Sequence, residues 1–387
     1  MADILALPRA QSRALALPAI PWYLWASVIG VTSAMIGGQW DISWHRSIGR
    51  DTFWTAPHLA IYLCGIIAGI SSAYLILGSS FGKLPEVRSA SVRMWGFYGP
   101  LGAFIMAWGG VAMLTSAPFD DWWHNAYGLD VKILSPPHVV LALGIITIQI
   151  GASMLVLGQM NRAKAEERRR LDWLFLYLSA VTLAATQAVT MELNQRVEQH
   201  TGAFYISVAI TAPAVLIAGA NASSRRWAAT IVAGIFTLCI ASFIWILPLF
   251  PAQPKLGPVF NPVTQFIPPA FPILVIVPAF ALDLLRPRIG KRSLAAQAVV
   301  YGTVFFGLFA AVQWTFAEFL MTPAAANGFF GTIYRDFYTG PNSLEARNLF
   351  LPREPNFATL MWIALAAAVV TSGIGVAWGR WMQKVKR

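Results

Sequence analysis

Apolar runs of about 20 residues, the length a helix needs to cross a bilayer, recur along this 387-residue chain between short polar connectors. Ten such runs lie near 21–43, 57–78, 94–117, 137–160, 172–193, 203–221, 227–250, 262–285, 296–320 and 356–379. Several are interrupted by Gly or Pro, which membrane helices tolerate when neighbours re-satisfy the backbone. The pattern predicts an all-α, polytopic integral membrane protein of about ten transmembrane helices. The longest charge run, 161–172, reads as a cytoplasmic linker between a four-helix unit at 1–160 and a six-helix unit at 173–387. The longest connector on the opposite side, about 321–355, carries Tyr334, Arg335, Asp336 and Tyr338. It is long enough for a cap or docking surface, and a solvated connector fits it equally.

Composition agrees with lipid as the solvent. The chain is 57% hydrophobic and 12% charged, with a mean hydropathy of +0.59, where a soluble domain carries about 25% charged residues. The net charge of +11 would fit a nucleic-acid binder if it were spread over one surface. With ten spans, however, 20 of the 28 Lys and Arg fall on the side shared by the termini and the even-numbered loops. Positive-inside bias places that side, and both termini, in the cytoplasm. The basicity is then topology, and no nucleic-acid partner is expected. Arg9 and Arg13 precede no apolar core with a small-residue cleavage site, so no cleavable signal peptide is expected. Cys64 and Cys239 fall mid-span in different helices and read as small core residues.

Four of the five histidines fall in two copies of one pattern. Asp41 and His45 are followed by Pro57-His58; Asp120 and His124 are followed by Pro137-His138. The copies are offset by 79 to 80 residues (41 to 120, 45 to 124, 58 to 138), an internal duplication within the four-helix unit. Residues four apart share a helix face, so each Asp and the His after it can address one point. The His opening the next, antiparallel helix would close a three-ligand set. Two imidazoles and a carboxylate with open positions suit an oxygen-activating iron, and imidazole also suits copper and zinc; the ligand set alone does not choose. An ordinary hydrogen-bonded interfacial histidine is the bland alternative. Arg46, Arg50, Asp51 and Asp121 are candidates to support the ligands, and Asp121 and Asp130 are alternatives to Asp120 that miss the four-residue step. Trp44, Trp54, Trp122 and Trp123 read as interfacial packing. In the second half, Asp283 reads as a structural partner of Arg286, Glu318 as a second-shell or proton-relay group near the level of the clusters, and His200 as a solvated loop residue.

At these residues a family resemblance appears. Asp-Ile-Ser-Trp-His-Arg-Ser-Ile-Gly-Arg-Asp-Thr-Phe-Trp-Thr-Ala-Pro-His at 41–58 closely resembles the metal-binding stretch of the C subunit of particulate methane and ammonia monooxygenases, the copper membrane monooxygenases. The stretch 121–138 resembles that subunit's adjacent site. The resemblance implies copper on Asp41, His45 and His58, the set that would activate dioxygen, and a neighbouring Asn/His/His site matching Asp120, His124 and His138. Asp stands here in place of that Asn; it adds negative charge, makes the two sites alike, and leaves room for iron, with one or two ions per chain. The second half is similar, more weakly, to the family's A subunit at Asp172-Trp173, Arg226-Trp227, the Pro-rich run 258–278, Glu318, Tyr334 to Pro341 and Gly379-Arg380-Trp381. The A subunit's ligand positions are not reproduced at Thr186–Gln195, where Glu192 and Asn194 are the polar candidates. The resemblance implies a C–A fusion in a bacterial inner membrane with its metal sites toward the periplasm. It implies hydroxylation of a small apolar substrate, a short alkane or ammonia, with O2. It further implies a separate B-like subunit with outward soluble domains, and a trimer. Two other readings are a membrane metal-binding or delivery protein derived from the same family and, last, a transporter, which would place more ionisable residues at mid-membrane.

Overall fold

The computed structural model describes residues 20–49, 54–127, 135–255, 263–334 and 354–386. They form long helices α1 (Trp22–Ser47), α2 (Ala56–Ser80), α4 (Leu101–Tyr127), α5 (Pro136–Met160), α6 (Ala165–Val189), α7 (Gly202–Ala222), α8 (Ala228–Ile246), α10 (Leu294–Leu320) and α11 (Phe357–Met382). A one-turn helix α3 (Pro85–Arg88) and a shorter helix α9 (Ile276–Ile289) complete the helical set among the described residues, apart from three short 3-10 turns. The one sheet described is a hairpin of β1 (Val92–Met94) and β2 (Phe97–Gly99). The protein is an all-α polytopic membrane protein: eight of the described helices (α2, α4 to α8, α10 and α11) are long and apolar enough to span a bilayer. α1 matches them in length, but its last two turns carry Gln39, Asp41, His45 and Arg46.

Three expected elements take another form. The run at 94–117 begins as the β1–β2 hairpin, because Trp95 and Gly96 both adopt positive φ (48° and 87°), the geometry of a two-residue hairpin turn. The charge run at 161–172 is helical from Ala165, forming the first two turns of α6. The run at 262–285 is not one helix. Pro268, Pro269 and Pro272 fix φ and remove backbone donors, so the chain stays irregular until α9 starts at Ile276. Neighbours satisfy that stretch: Ser43 Oγ donates to Ile267 O at 2.7 Å, Ile267 N donates to Ser47 Oγ at 2.8 Å, and Leu274 N donates to Gln313 Oε1 at 2.8 Å.

The functional end is built on two antiparallel hairpins, α1–α2 and α4–α5, with α2 packed on α4. The α4–α5 pair is closed by glycines. A Cβ on Gly102 would meet Gly151 O at 2.5 Å, and one on Gly109 would meet Gly144 O at 2.8 Å. The offset of about 80 residues carries Gly109 and Gly144 onto Gly30 and Cys64, which face each other across α1–α2, where the same added atom would lie 3.5 Å from Cys64 O. Small residues let helix backbones approach in lipid, where burial of apolar surface gives little drive. α6 joins this part to the rest by packing on α1, α5, α7 and α8, and one apolar core continues through both halves.

Asp283 is not held by an ion pair with Arg286. It accepts from Ala229 N at 3.2 Å and from Thr230 N and Oγ1 at 2.8 Å, capping the start of α8. Arg286 instead donates to the carbonyls of Ala220, Arg225 and Arg226 after α7. The orphan N–H groups of one helix and carbonyls of another outcompete a side-chain pair.

The α4–α5 contact makes a direct prediction. Gly151→Leu, which drives a side chain into Gly102 O and Met106, should cost about 1–3 kcal/mol by overpacking and lower the midpoint of thermal unfolding in mild detergent. Gly38→Leu, which meets nothing within 4 Å, should leave that midpoint within measurement error.

Candidate metal centres

Each cluster forms where one long helix ends and the next begins. Asp41 and His45 lie one turn apart at the end of α1, and Asp120 and His124 at the end of α4. Pro57 and Pro137 sit in the first turns of α2 and α5, where a missing N–H costs nothing, and place His58 and His138 at the mouth of each hairpin. The result is two groups, Asp41/His45/His58 and Asp120/His124/His138, whose ligand atoms all lie within 4.8 Å of one another.

In both groups the two Nε2 atoms converge on one carboxylate oxygen. Asp41 Oδ1 lies 3.6 Å from His45 Nε2 and 3.2 Å from His58 Nε2; Asp120 Oδ1 lies 2.9 Å from His124 Nε2 and 3.5 Å from His138 Nε2. Ligands bound at about 2.0–2.2 Å to one ion, at right to tetrahedral angles, are spaced by about 2.9–3.5 Å. Three of the four separations fall within that spacing, and Asp41–His45 exceeds it by 0.1 Å. Asp41 Oδ1 is buried yet accepts no hydrogen bond, which a cation would correct. His124 Nε2 and Asp120 Oδ1 also have hydrogen-bond geometry; the Nε2 proton there must leave if the ring is to ligate through that atom. If the rings ligate through Nε2, Nδ1 is the nitrogen left to carry the proton and donate to an outer acceptor.

The two groups differ in solvent access. The Asp120 and His124 side chains are each 8% exposed, whereas Asp41 and His45 are 21% and 32% exposed; at the third ligand the order reverses, His138 being 30% exposed and His58 14%. Trp44 packs against Trp40 and against Phe266 of the irregular segment, so the second half of the chain covers one flank of the first group. Trp122 and Trp123 stack among Phe119 and Tyr127, in line with a packing role.

Asp120, not Asp121, turns toward the histidines: Asp121 is exposed, while Asp120 is 6% exposed. Arg50, Asp51 and Asp130 lie outside the described residues, as does the segment 335–353 of the long connector. Arg46 lines a cavity on another face of α1. Glu318 is exposed on α10, which packs chiefly on α7, α9 and α11 and not on the cluster-bearing helices; its charge acts on His200. His200 is not solvated. It is 4% exposed, stacks on the Trp314 ring at 3.7 Å and bonds Trp314 O through Nε2 at 3.0 Å. A single polar residue in a loop gives no sequence signal of the helix that will cover it. Asn194 hydrogen-bonds Gln187 O, and Glu192 is exposed.

Tyr62 is a residue the motif reading missed. It follows His58 by one helical turn, and its Oη lies 3.5 Å from Oγ of Ser116, one turn before Asp120. It stands within electrostatic reach of both Asp41 and Asp120, so the two groups sit at one level on adjoining helices. The four-residue step from His58 was the available signal. Compared with protein-family models, with curated proteins and with solved structures, the chain matches none.

Two outcomes follow from this geometry. Asp120→Asn removes the charge on which His124 and His138 converge, and should weaken divalent-ion binding at that group at least about tenfold, read by competition with a chromogenic chelator. Burial, partly offset by the Trp314 carbonyl and Glu318, lowers the His200 pKa below its ordinary 6.5. The unfolded chain therefore takes up that proton first, so this contribution to stability is full above pH 6.5 and declines as pH falls below it. Thermal unfolding should show this acid loss in the wild type, and His200→Gln should reduce the slope.

Proposed function

We propose that this chain is a membrane-bound, metal-dependent monooxygenase, or the metal-binding subunit of one, that hydroxylates a small apolar substrate such as a short alkane or ammonia with O2. The observation that carries the reading is the pair of matched Asp/His/His groups, each with two Nε2 atoms focused on one carboxylate oxygen. The similarity of 41–58 and 121–138 to the C subunit of copper membrane monooxygenases points to copper, with iron as the alternative, at one or two ions per chain. A bound redox metal would supply the one-electron chemistry of oxygen activation that side chains lack.

The residues of the chain do the rest. Asp41, His45 and His58 would hold one redox ion, and Asp120, His124 and His138 would hold a second beside it. Three protein ligands per site leave positions open. Carboxylate charge offsets the cation, and neutral imidazoles bind without a thiol proton to lose. The spanning helices offer an apolar route to the site. Positive-inside bias orients the termini toward the cytoplasm and both groups toward the periplasm of a bacterial inner membrane. There a B-like subunit with soluble domains would dock, in a trimeric assembly. A second reading, metal binding or delivery without catalysis, draws support from one observation: both described groups are built wholly from the first half, with no ligand from the A-like half.

Elemental analysis of protein purified in nanodiscs, alongside His45→Ala and His124→Ala, tests the reading. Copper or iron at one to two per chain, lost in part by each substitution, is the expected result. Zinc alone, or no metal in carefully handled wild-type protein, contradicts the redox reading. Stoichiometric copper without substrate-dependent O2 uptake, in the presence of a chemical reductant and all partner subunits, leaves the delivery reading.

A further inference from the structure

In the second half, the apolar run at 262–285 is only partly helical, and its irregular part lines a cavity. α9 has 14 residues, about 21 Å of helix against a hydrocarbon core of about 30 Å, so a crossing here would need the irregular residues before it. Irregular backbone at that depth occurs where protein buries it or where it borders a cavity, and broken membrane helices recur at ligand sites. Here Pro269–Ile273 forms one wall of a cavity of about 50 Å3, with α1, α6, the turn after it and α8 forming the others. By the space a single water needs, that is room for three or four non-hydrogen atoms.

The polar groups facing it are specific. Gln39 is 7% exposed, and among the described residues no hydrogen bond reaches its amide. Asn194 Oδ1 is buried and has no partner, while the Asn194 amide nitrogen donates to Gln187 O at 3.1 Å. Gln187 is already used, donating to Thr211 Oγ1 at 2.8 Å. The cavity thus presents the open Gln39 amide nitrogen, with two N–H donors, and two open carbonyl acceptors, and the rest of its lining is mainly apolar, including Ile42, Phe236 and Phe271. A hydroxyl donates and accepts at once, and a short hydrocarbon tail suits the walls. A carboxylate would oppose Asn194 Oδ1, and an alkane would leave all three groups unmet. Arg46, the one cation in the lining, lies seven residues along α1 from Gln39, about 10 Å away, and is itself engaged.

We propose that the cavity between α1, α6 and the turn after it, α8 and the irregular segment 269–273 binds a one- to three-carbon alcohol, its hydroxyl held by Gln39 and Asn194. The site lies at the height of Asp41 and His45 on another face of the same helix. A short alcohol is what hydroxylation of a short alkane yields, so its physiological meaning rests on the proposed function; the binding itself does not.

The test is a 19F NMR titration of the full chain in nanodiscs with 2-fluoroethanol, fluoroethane and fluoroacetate, with protein-free nanodiscs as the partition baseline. It is run with and without a metal chelator, so that failure of the metal reading leaves the result interpretable. The expected result is saturable 2-fluoroethanol binding, at least fivefold tighter than either other probe and unchanged by chelation. Gln39→Leu and Ala188→Leu, the second filling the cavity without touching Gln39, should each weaken it at least fivefold. No saturable signal means the cavity holds water only. Equal binding of fluoroethane means an apolar void, and tighter fluoroacetate an anion site at Arg46; each of these overturns the proposal. If a variant fails to fold, the comparison of three probes on the wild type still decides.

Discussion

A carboxylate at the edge of a hydrocarbon layer is costly unless something offsets its charge, and that cost bears on the end of the helices where Asp41 and Asp120 lie. Asp41 and Asp120 each meet two imidazole nitrogens, one from their own helix and one from the next. Neutral imidazoles do not cancel a charge, and Asp41 Oδ1 remains without a hydrogen bond. A cation shared by the carboxylate and the two imidazoles would complete the arrangement, and that is the basis of the proposed metal sites.

Holding three ligands from two helices within 4.8 Å requires the hairpins to close in one register. The contacts Gly102–Gly151 and Gly109–Gly144 set it for α4–α5, and Gly37 against Pro57 O and Ile61 N does so for α1–α2, where an added Cβ would come within 2.9 Å of both. These contacts lie below the ligands and touch none of them. Packing in the membrane interior therefore fixes chemistry at its surface. α2 on α4 then brings the two sites side by side, with Tyr62 and Ser116 at the seam.

Much of this was legible in the sequence because it is local. Apolar run length gives the spans, the four-residue step gives Asp41–His45 and Asp120–His124, and Pro-His at a helix start gives the third ligand. What was not legible is set by partners remote in the chain. His200 is buried by Trp314, 114 residues away, and Asp283 is taken by the start of α8, 54 residues away. The prolines at 268, 269 and 272 were visible, but tolerance of Pro in membrane helices masks the difference between a kink and a break. Ser43 and Ser47 of α1 and Gln313 of α10 decide for the break by accepting and donating the hydrogen bonds of the irregular chain.

In the proposed arrangement, two metal ions are each held by two imidazoles and a carboxylate. X-ray absorption at the edge of whichever metal is purified with the protein addresses it directly. The account predicts nitrogen and oxygen neighbours at about 2.0–2.2 Å, with outer-shell scattering from two imidazole rings per metal. A dominant sulfur shell at about 2.3 Å, or one ring or none per metal, would contradict it.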